Sequence, residues 1–329
     1  MVFLITRRTV GRTHLFQPDA MIKQLFVYIL AVCAARYGII VHAAVLMSTH
    51  EHLVLSDPLG KLSEFLAQLH RLMALTVKIH RKWEGAVWDS SPPSEVELVT
   101  VEAVIEKLAY VMANPVEAGL VMHAHQWPGV TTVPSQLGTA QFTAKRPEIY
   151  FDADNPQWPE EATLQLQMPQ LGLSDDAIRE KVTAELAYLE RNAHAEVKAK
   201  GWRFLGAQRI ALLSPFKQAK SWEPIRGRNP TFAVGRGQRT AFFHAVKVLR
   251  TFRKLYREAL SEWREGVRDV IFPAGTLLMR VLHQVRVPQP DPGSHQHPAA
   301  VAPSEGWQGI LWPAEIGEKT ARARRCKPR

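Results

Sequence analysis

Residues 45–55 read Val45-Leu46-Met47-Ser48-Thr49-His50-Glu51-His52-Leu53-Val54-Leu55. The apolar residues around the two histidines predict a β-strand over residues 50–56. Side chains of an extended strand alternate between its two faces, so we expect His50 and His52 on one face, roughly 6.5–7 Å apart along the strand. Two neutral imidazoles placed in this way can hold one metal ion between them.

The same two-residue spacing of histidines occurs at two other places in the chain. His123 and His125 follow a glycine-containing loop, whereas His295 and His297 lie in a stretch rich in Pro, Gly and Ser. The pair at positions 50 and 52 is distinguished by its apolar, strand-like surroundings, and it is therefore the predicted metal site. For this pair alone a simpler interpretation stays open, namely two partly buried strand histidines with ordinary hydrogen bonds.

A second pattern lies about sixty residues further along the chain. Apolar residues with helical periodicity predict a helix there: Val101, Val104, Ile105, Leu108 and Met112. Thr100 has the side chain of an N-cap residue. Pro115 disfavours helical geometry at Asn114, so the helix is expected to end at Asn114. Tyr110 and Asn114 would then lie on one face of the last turn.

A phenol and an amide beside paired histidines form a recognisable chemical set. A metal ion polarises a phosphodiester, the phenol attacks phosphorus, and the amide completes the shell of metal ligands. For Tyr110 considered alone, a tyrosine that merely packs on the helix is the alternative.

Several motifs occur in an order that resembles a known family. They are Ile5-Thr6-Arg7-Arg8, Leu15-Phe16-Gln17-Pro18-Asp19, Tyr37-Gly38-Ile39, His42-Ala43, Met47-Ser48-Thr49-His50-Glu51-His52-Leu53 and Asn114-Pro115-Val116-Glu117-Ala118-Gly119-Leu120-Val121. Over about residues 1–132 the chain resembles the single-tyrosine HUH transposases, specifically the REP-associated tyrosine transposases of the insertion-sequence-200-like group. Gly227-Arg228-Asn229-Pro230 and Phe272-Pro273-Ala274-Gly275-Thr276 look like the extension of longer members.

The resemblance implies a function and a set of site residues. His50 and His52 would be metal ligands, Asn114 would be the third, polar ligand, and Tyr110 would be the nucleophile. The activity implied is metal-dependent cleavage and rejoining of single-stranded or hairpin DNA through a 5′-phosphotyrosine intermediate. The family uses Mg²⁺ or Mn²⁺, and of these two Mn²⁺ suits imidazole ligands better.

Two residues depart from the family's pattern. Glu51 stands where relatives have an apolar or aromatic residue, and Thr49 stands where they usually have Asn. An unpaired carboxylate on the helix-packed face of the sheet would be costly. These departures leave a second hypothesis open: a catalytically inactive, domesticated protein that binds single-stranded DNA.

The order of predicted elements indicates an α+β fold of ferredoxin-like type, an antiparallel sheet with packed helices. Predicted strands cover residues 2–10, 38–47, 50–56 and 95–99, and predicted helices cover 19–36 (amphipathic) and 59–82, followed by the helix with Tyr110. An RNA-binding module shares this topology, but the central strand lacks the aromatic residues on which bases would stack. The predicted organisation is a transposase domain at 1–132, a linker or extended connection at 133–170, a basic and mainly helical DNA-contacting region at 171–287, and a disordered tail at 288–329.

The positive charge of the chain is concentrated in its C-terminal half. The formal net charge is +10, and residues 200–272 contain 16 Lys and Arg against 5 Asp and Glu, a net +11. A helix predicted over Thr240–Glu265 has a basic stripe, Lys247, Arg250, Lys254 and Arg257, apart from its apolar stripe. The preceding loop adds Arg228, Arg236 and Arg239. These seven residues are predicted to contact DNA phosphates; a merely solvated helix face is the alternative.

Cysteine content and the N-terminal sequence predict the compartment. Two cysteines, Cys33 and Cys326, exclude a disulfide framework and fit a reducing compartment. The most apolar early stretch, Leu25–Ala35, is too short to span a bilayer, and the first residues do not resemble a signal peptide. A cytoplasmic protein without membrane contact is expected. The sequence leaves both a homodimer and a monomer open.

Overall fold

The structure of the chain is a computed structural model that describes residues 1–220, 230–274 and 276–288. Its strands are β1 (Val2–Arg8), β2 (Ile40–Leu46), β3 (His50–Ser56), β4 (Ser94–Leu98), β5 (Gln141–Lys145), β6 (Glu161–Gln165) and β7 (Phe232–Ala233). Its helices are α1 (Ala20–Tyr37), α2 (Leu62–Arg81), α3 (Val101–Glu117), α4 (Asp175–Ala199), α5 (Ala207–Ala211), α6 (Arg239–Arg264) and α7 (Leu277–His283).

The central sheet has the strand order β2-β3-β1-β4-β7. Neighbours among the first four strands are antiparallel, and the two-residue strand β7 is parallel to β4. Two β-α-β crossovers, through α1 and through α2, connect strands that are separated by one strand in the sheet. This is the ferredoxin-like arrangement, and it confirms the predicted α+β fold class.

The two faces of the sheet pack against different helices. On one face α1 and α2 form a core with Leu53 and Leu55 of β3, and on the other face α3 packs against Val54. The alternation along β3 therefore directs His50 and His52 toward α3 and Glu51 toward α2. Helix α4 lies outside α3, with Ile178, Val182 and Leu186 buried against it.

Helix α1 differs from the amphipathic helix that was predicted over residues 19–36. Its residues from Leu25 to Ala34 are all buried. By length and composition α1 could also cross a membrane, with a mean hydropathy of 1.4 over 18 residues, but 61% of that window is buried inside the protein. The apolar stretch predicted from the sequence is shorter than α1 itself. One packing partner that buries α1 lies far away in the chain.

That partner lies in the range predicted as a linker or extended connection, 133–170. Strands β5 and β6 pair in register as an antiparallel hairpin and cover α1. Phe151, Trp158 and Leu164 join the core formed by α1 and α2. Tyr28 of α1 donates a hydrogen bond to the Pro159 carbonyl at 2.7 Å, and burial raises the pKa of its phenol to about 12. The strands are five residues long and separated by prolines, so their periodicity is weak in sequence.

Helix α3 begins where expected and ends later than expected. The Thr100 side chain accepts a hydrogen bond from the Ala103 amide, as the N-cap assignment requires. The prediction that the helix ends at Asn114 is wrong, because α3 continues through Pro115 to Glu117. Proline disfavours helical geometry before it without excluding it. Here Pro115 is buried in the last turn, and its carbonyl accepts a hydrogen bond from the Leu120 amide at 3.0 Å.

The C-terminal helices form a smaller apolar cluster. Tyr256, Leu260 and Trp263 of α6 pack around the buried Phe272. The predicted tail from residue 289 onward, and Arg228, lie outside the described residues.

Candidate active site

The two strand histidines meet the amide of Asn114 on one side of the sheet. The rings of His50 and His52 are 4.8 Å apart between centroids and nearly perpendicular. Asn114 Oδ1 lies 3.0 Å from Nε2 of His50, and Asn114 Nδ2 lies 3.1 Å from Nε2 of His52. Both Nε2 atoms therefore converge on one buried group of α3. The structure brings together the three side chains that the sequence predicted as metal ligands.

A hydroxyl group holds the other nitrogen of each ring. Thr6 Oγ1 on β1 lies 2.7 Å from Nδ1 of His52, and Thr49 Oγ1 lies 2.9 Å from Nδ1 of His50. Thr6 and His52 are cross-strand partners in the register of β1 and β3. Hydrogen bonds to the second nitrogen fix the orientation of an imidazole ligand. Thr49, one of the two departures from the family pattern, thus has a defined role in orienting His50.

The tautomer of each histidine follows from the orientation of the amide. Asn114 Nδ2 can only donate, so Nε2 of His52 accepts and Nδ1 donates to Thr6. Asn114 Oδ1 can only accept, so Nε2 of His50 donates and Nδ1 accepts from Thr49. A metal at His50 Nε2 would require the proton on Nδ1. In that tautomer Nδ1 of His50 would donate a hydrogen bond to the Thr49 hydroxyl, which can accept as well as donate.

Tyr110 lies beside these groups. Its ring packs edge-to-face against His52, with centroids 5.3 Å apart. The ammonium of Lys107, one turn earlier on α3, lies 5.2 Å from the Tyr110 ring centroid. A cation at this distance stabilises negative charge developing on the phenol. The predicted nucleophile and the predicted metal ligands therefore form one cluster.

The donor set of the cluster fits a divalent metal ion with an incomplete protein shell. Within the described residues no group of three or more His, Cys, Asp or Glu side chains could hold a metal ion. Two imidazole nitrogens and an amide oxygen would supply three ligands, which leaves positions for water or a phosphate oxygen. Imidazole with oxygen ligands suits Mn²⁺, and Mg²⁺ suits such a site less well.

Glu51 faces the opposite side of the sheet and is completely buried. Nε2 of His70 on α2 lies 2.6 Å from Glu51 Oε1, and Nη1 of Arg7 lies 3.1 Å from His70 Nδ1. A guanidinium can only donate, so His70 accepts at Nδ1 and donates from Nε2 to the carboxylate. The indole of Trp88 donates to the His70 carbonyl at 2.8 Å. Burial lowers the pKa of Arg7, and the charge of Glu51 acts in the opposite direction.

The predicted DNA-contacting residues are placed in two different environments. Lys247, Arg250 and Arg257 are exposed on α6, as is Arg239 at its start. Lys254 lies 3.8 Å from Glu258, so the stripe has an acidic neighbour that the sequence analysis overlooked. Those side chains remain candidates for phosphate contact.

Arg236 is held by two carboxylates. Its Nε lies 3.1 Å from Glu106 of α3, and its Nη2 pairs with Glu185 of α4. The pairing raises the pKa of Arg236. This arginine ties the loop before α6 to the helix that carries Tyr110.

The second histidine pair has ordinary partners. The rings of His123 and His125 are stacked with centroids 5.6 Å apart, and His123 Nδ1 lies 3.0 Å from Glu190. The neighbouring His194 forms a hydrogen bond with the Met122 carbonyl at 2.7 Å. His123 is thus engaged by a carboxylate, whereas His295 and His297 lie outside the described residues.

Sequence reasoning missed the groups that support the site. Thr6 lay in one of the motifs that carried the resemblance, but its partner His52 is 46 residues away. His70, which pairs with Glu51, and Trp88, which contacts His70, had no local signal in the sequence. Helical periodicity placed Lys107 one turn before Tyr110, and this spacing could have identified it.

No family model and no curated protein matches this chain. Among solved structures, it is similar to a REP-associated tyrosine transposase bound to a REP hairpin, at 15% identity over 41% of this chain and 78% of that chain, with a TM-score of 0.33. It is also similar to a candidate transposase from Deinococcus radiodurans, at 19% identity over 34% of this chain and 88% of that chain, with a TM-score of 0.27. Similarities this low establish nothing about what this chain binds or cuts, so the functional conclusion depends on the site's geometry.

Proposed function

We propose that this protein is a metal-dependent DNA strand nuclease and strand transferase of the transposase type, acting on single-stranded or hairpin DNA. One observation carries the proposal: His50, His52 and Asn114 converge on one point, and Tyr110 packs against His52. These residues come from a strand and from a helix about sixty residues apart. A structural role alone does not require a phenol beside two converging imidazoles.

Each residue of the candidate site has a separate role in the proposed reaction. His50, His52 and the amide oxygen of Asn114 would hold Mn²⁺ or Mg²⁺, which when bound withdraws charge from a phosphodiester. Thr6 and Thr49 keep the two imidazoles oriented. The attack is made by the Tyr110 phenol oxygen.

The proposed reaction balances as a transesterification. A bond forms between the Tyr110 oxygen and phosphorus, and the bond from phosphorus to the 3′-oxygen breaks. The phenol loses its proton, and the 3′-oxygen leaves as a hydroxyl. The products are a 5′-phosphotyrosyl link and a free 3′-hydroxyl, and the reverse reaction with a new 3′-hydroxyl rejoins strands.

Ionising the phenol is the energetic difficulty of this reaction. A phenol with a pKa near 10 costs about 4 kcal/mol to ionise at pH 7. The positive charge of Lys107, 5.2 Å from the Tyr110 ring, lowers this cost. A bound cation at the histidines would act in the same direction.

The rival hypothesis was an inactive DNA-binding protein that had lost its chemistry at Glu51 and Thr49. Both side chains have hydrogen-bond partners within the fold. Neither residue therefore requires loss of catalysis as its explanation. Helix α3 packs on the sheet face to which Val54 of β3 contributes, and this covering argues against an RNA-binding platform on that face.

The test is a covalent adduct assay. Protein is incubated with labelled single-stranded hairpin oligonucleotides and Mn²⁺, and a labelled species that survives boiling in SDS is expected. Tyr110→Phe should abolish this species and leave DNA affinity within a few-fold, because only the nucleophilic oxygen is removed. Tyr188→Phe, which removes the same hydroxyl from an exposed tyrosine of α4, is the matched control. An adduct that persists in Tyr110→Phe would exclude Tyr110 as the nucleophile.

A further inference from the structure

A groove at the C-terminal end of α4 is lined by aromatic and basic side chains that the proposed reaction does not use. Its volume is about 510 Å³. The side chains that characterise it are Trp202, Phe204, Lys198, Arg203 and His194. Within the described part of the chain, no acidic residue lines it.

Trp202 is the most unusual residue of the groove. Its side chain is large and apolar, yet Trp202 is 62% exposed. The backbone that presents it is fixed, because its amide donates to the Val197 carbonyl at 2.9 Å and the preceding Gly201 has a φ of +64°. The ammonium of Lys200 lies 4.8 Å from the ring centroid. The exposure of the indole leaves room for a second flat group to stack.

The charged side chains that line the groove are basic. Lys198 and Arg203 are exposed. Of the nearby carboxylates, Glu196 pairs with Lys200, the lysine beside Trp202, and Glu190 contacts His123 and the Ala124 amide. Among the residues that the structure describes, no carboxylate pairs with Lys198 or Arg203. Aromatic surface beside such cations is complementary to a nucleobase with its phosphates.

We propose that this groove binds one unstacked base of a single DNA strand, with the adjacent phosphates on Lys198 and Arg203. The base would stack on Trp202, and Phe204 would form the adjoining apolar wall. Stacking on an aromatic side chain tolerates any base, because every base has a π-face. The assignment of the strand as DNA rests on the proposed function, whereas the choice of a single strand follows from the exposed indole.

The groove lies close enough to the candidate active site to serve the same strand. The Leu205 amide donates to the Gly119 carbonyl at 3.1 Å, and the Gly206 amide donates to the Leu120 carbonyl at 2.8 Å. Gly119 lies five residues beyond Asn114, and Trp202 lies three residues before Leu205. With about 1.5 Å per residue to the end of α3 and at most about 3.6 Å per residue beyond it, the groove is within roughly 30 Å of Asn114.

The experiment measures binding of the full chain to a fluorescent single-stranded oligonucleotide without divalent metal, by anisotropy. Trp202→Ala should weaken binding about 10-fold, because stacking of one base is lost. Trp202→Phe should retain most of the affinity. Phe216→Ala removes an exposed aromatic ring elsewhere on the surface and should leave affinity unchanged. An oligonucleotide with 5-iodouracil should photocross-link to the peptide that contains Trp202.

Two results would overturn the proposal. One is an unchanged affinity in Trp202→Ala together with cross-links that map elsewhere. The other is an equal loss of affinity for a fully paired duplex, whose bases cannot stack on the indole. Because binding is measured without metal, failure of the groove leaves the Tyr110 adduct assay unaffected, and failure of that assay leaves the groove result standing.

Discussion

His70 on α2 donates a hydrogen bond across 2.6 Å to Glu51, the residue between His50 and His52 on β3. The carboxylate is fully buried, and His70 is itself held by Arg7 from the neighbouring strand. The acidic residue between the two histidines therefore connects the strand of the candidate active site to the helix layer behind the sheet. A substitution that looked like damage in sequence is a packed and hydrogen-bonded part of the fold.

This network predicts a strong coupling between Glu51 and His70. His70→Leu should lower the free energy of unfolding by about 3 kcal/mol, because it leaves a buried carboxylate without its donor. The double variant Glu51→Leu, His70→Leu should be destabilised by less than the sum of the two single variants, since an apolar pair replaces both groups. Urea unfolding of the four proteins measures the coupling. Additive effects would mean that the two side chains do not depend on each other.

The proposed metal site predicts unequal effects for His50 and His123, which belong to two pairs with the same sequence spacing. His50→Ala should lose Mn²⁺-dependent cleavage and weaken Mn²⁺ binding at least 10-fold, because one of two imidazole ligands is removed. His123→Ala should change neither, since His123 contacts Glu190 away from Asn114. Cleavage assays and titration of Mn²⁺ followed by electron paramagnetic resonance provide the measurements. Equal losses in both variants would show that the metal had been assigned to the wrong histidine pair.

The basic stripe on α6 predicts a change in salt dependence. Replacing Lys247, Arg250, Lys254 and Arg257 by Gln should flatten the slope of log affinity against log salt by up to about 2.8, at about 0.7 for each lost phosphate contact. High DNA concentration should restore adduct formation, because the Tyr110 cluster is intact. Arg236→Gln is the contrasting variant: its guanidinium already pairs with Glu106 and Glu185, so the slope should not change. A quadruple variant with the wild-type slope would mean that the stripe is only solvated.

Because His42 is buried, we expect the folded protein to lose stability in weak acid. Its Nδ1 donates to the Gln167 carbonyl at 2.6 Å and its Nε2 accepts from Ser56 at 2.8 Å, and burial lowers its pKa from 6.5 to about 4. Between these two values the unfolded chain binds a proton that the folded chain does not, so stability falls as the pH falls from 6.5 toward 4. From pH 7.5 to pH 5 the contribution is about 2 kcal/mol.

The measurement for His42 is urea unfolding at pH 7.5 and pH 5 with the wild type and His42→Asn. The variant should be less stable at pH 7.5, because the contact with Gln167 is weakened. It should also lose about 2 kcal/mol less than the wild type between the two pH values. Identical pH dependence in the two proteins would show that His42 does not titrate as its burial requires.

Local pattern was sufficient for the first part of the fold. Alternation placed His50 and His52 on one face of β3, and helical spacing placed Tyr110 and Asn114 on one face of α3. Both signals come from residues a few positions apart, where backbone periodicity alone fixes direction. The N-cap of α3 at Thr100 could also be predicted from local sequence, since a cap residue contacts only the first turn of its own helix.

Contacts between distant segments could not be predicted in this way. The segment that forms the hairpin of β5 and β6 was assigned to a linker or extended connection, because its short strands acquire stability only by covering α1. Helix α3 passes through Pro115 because burial of its last turn outweighs a local preference. Arg236 was predicted to contact DNA because its loop is rich in Arg and Gly. In the structure it pairs with two carboxylates, one on α3 and one on α4.

By itself the sequence determined which side chains are the candidates for the proposed chemistry, namely His50, His52, Tyr110 and Asn114. Only the tertiary structure decided that they meet, and that Glu51 is paired with His70 rather than buried alone. The physical reason is that side-chain direction follows from local backbone geometry, whereas the partner of a buried polar group is set by long-range packing.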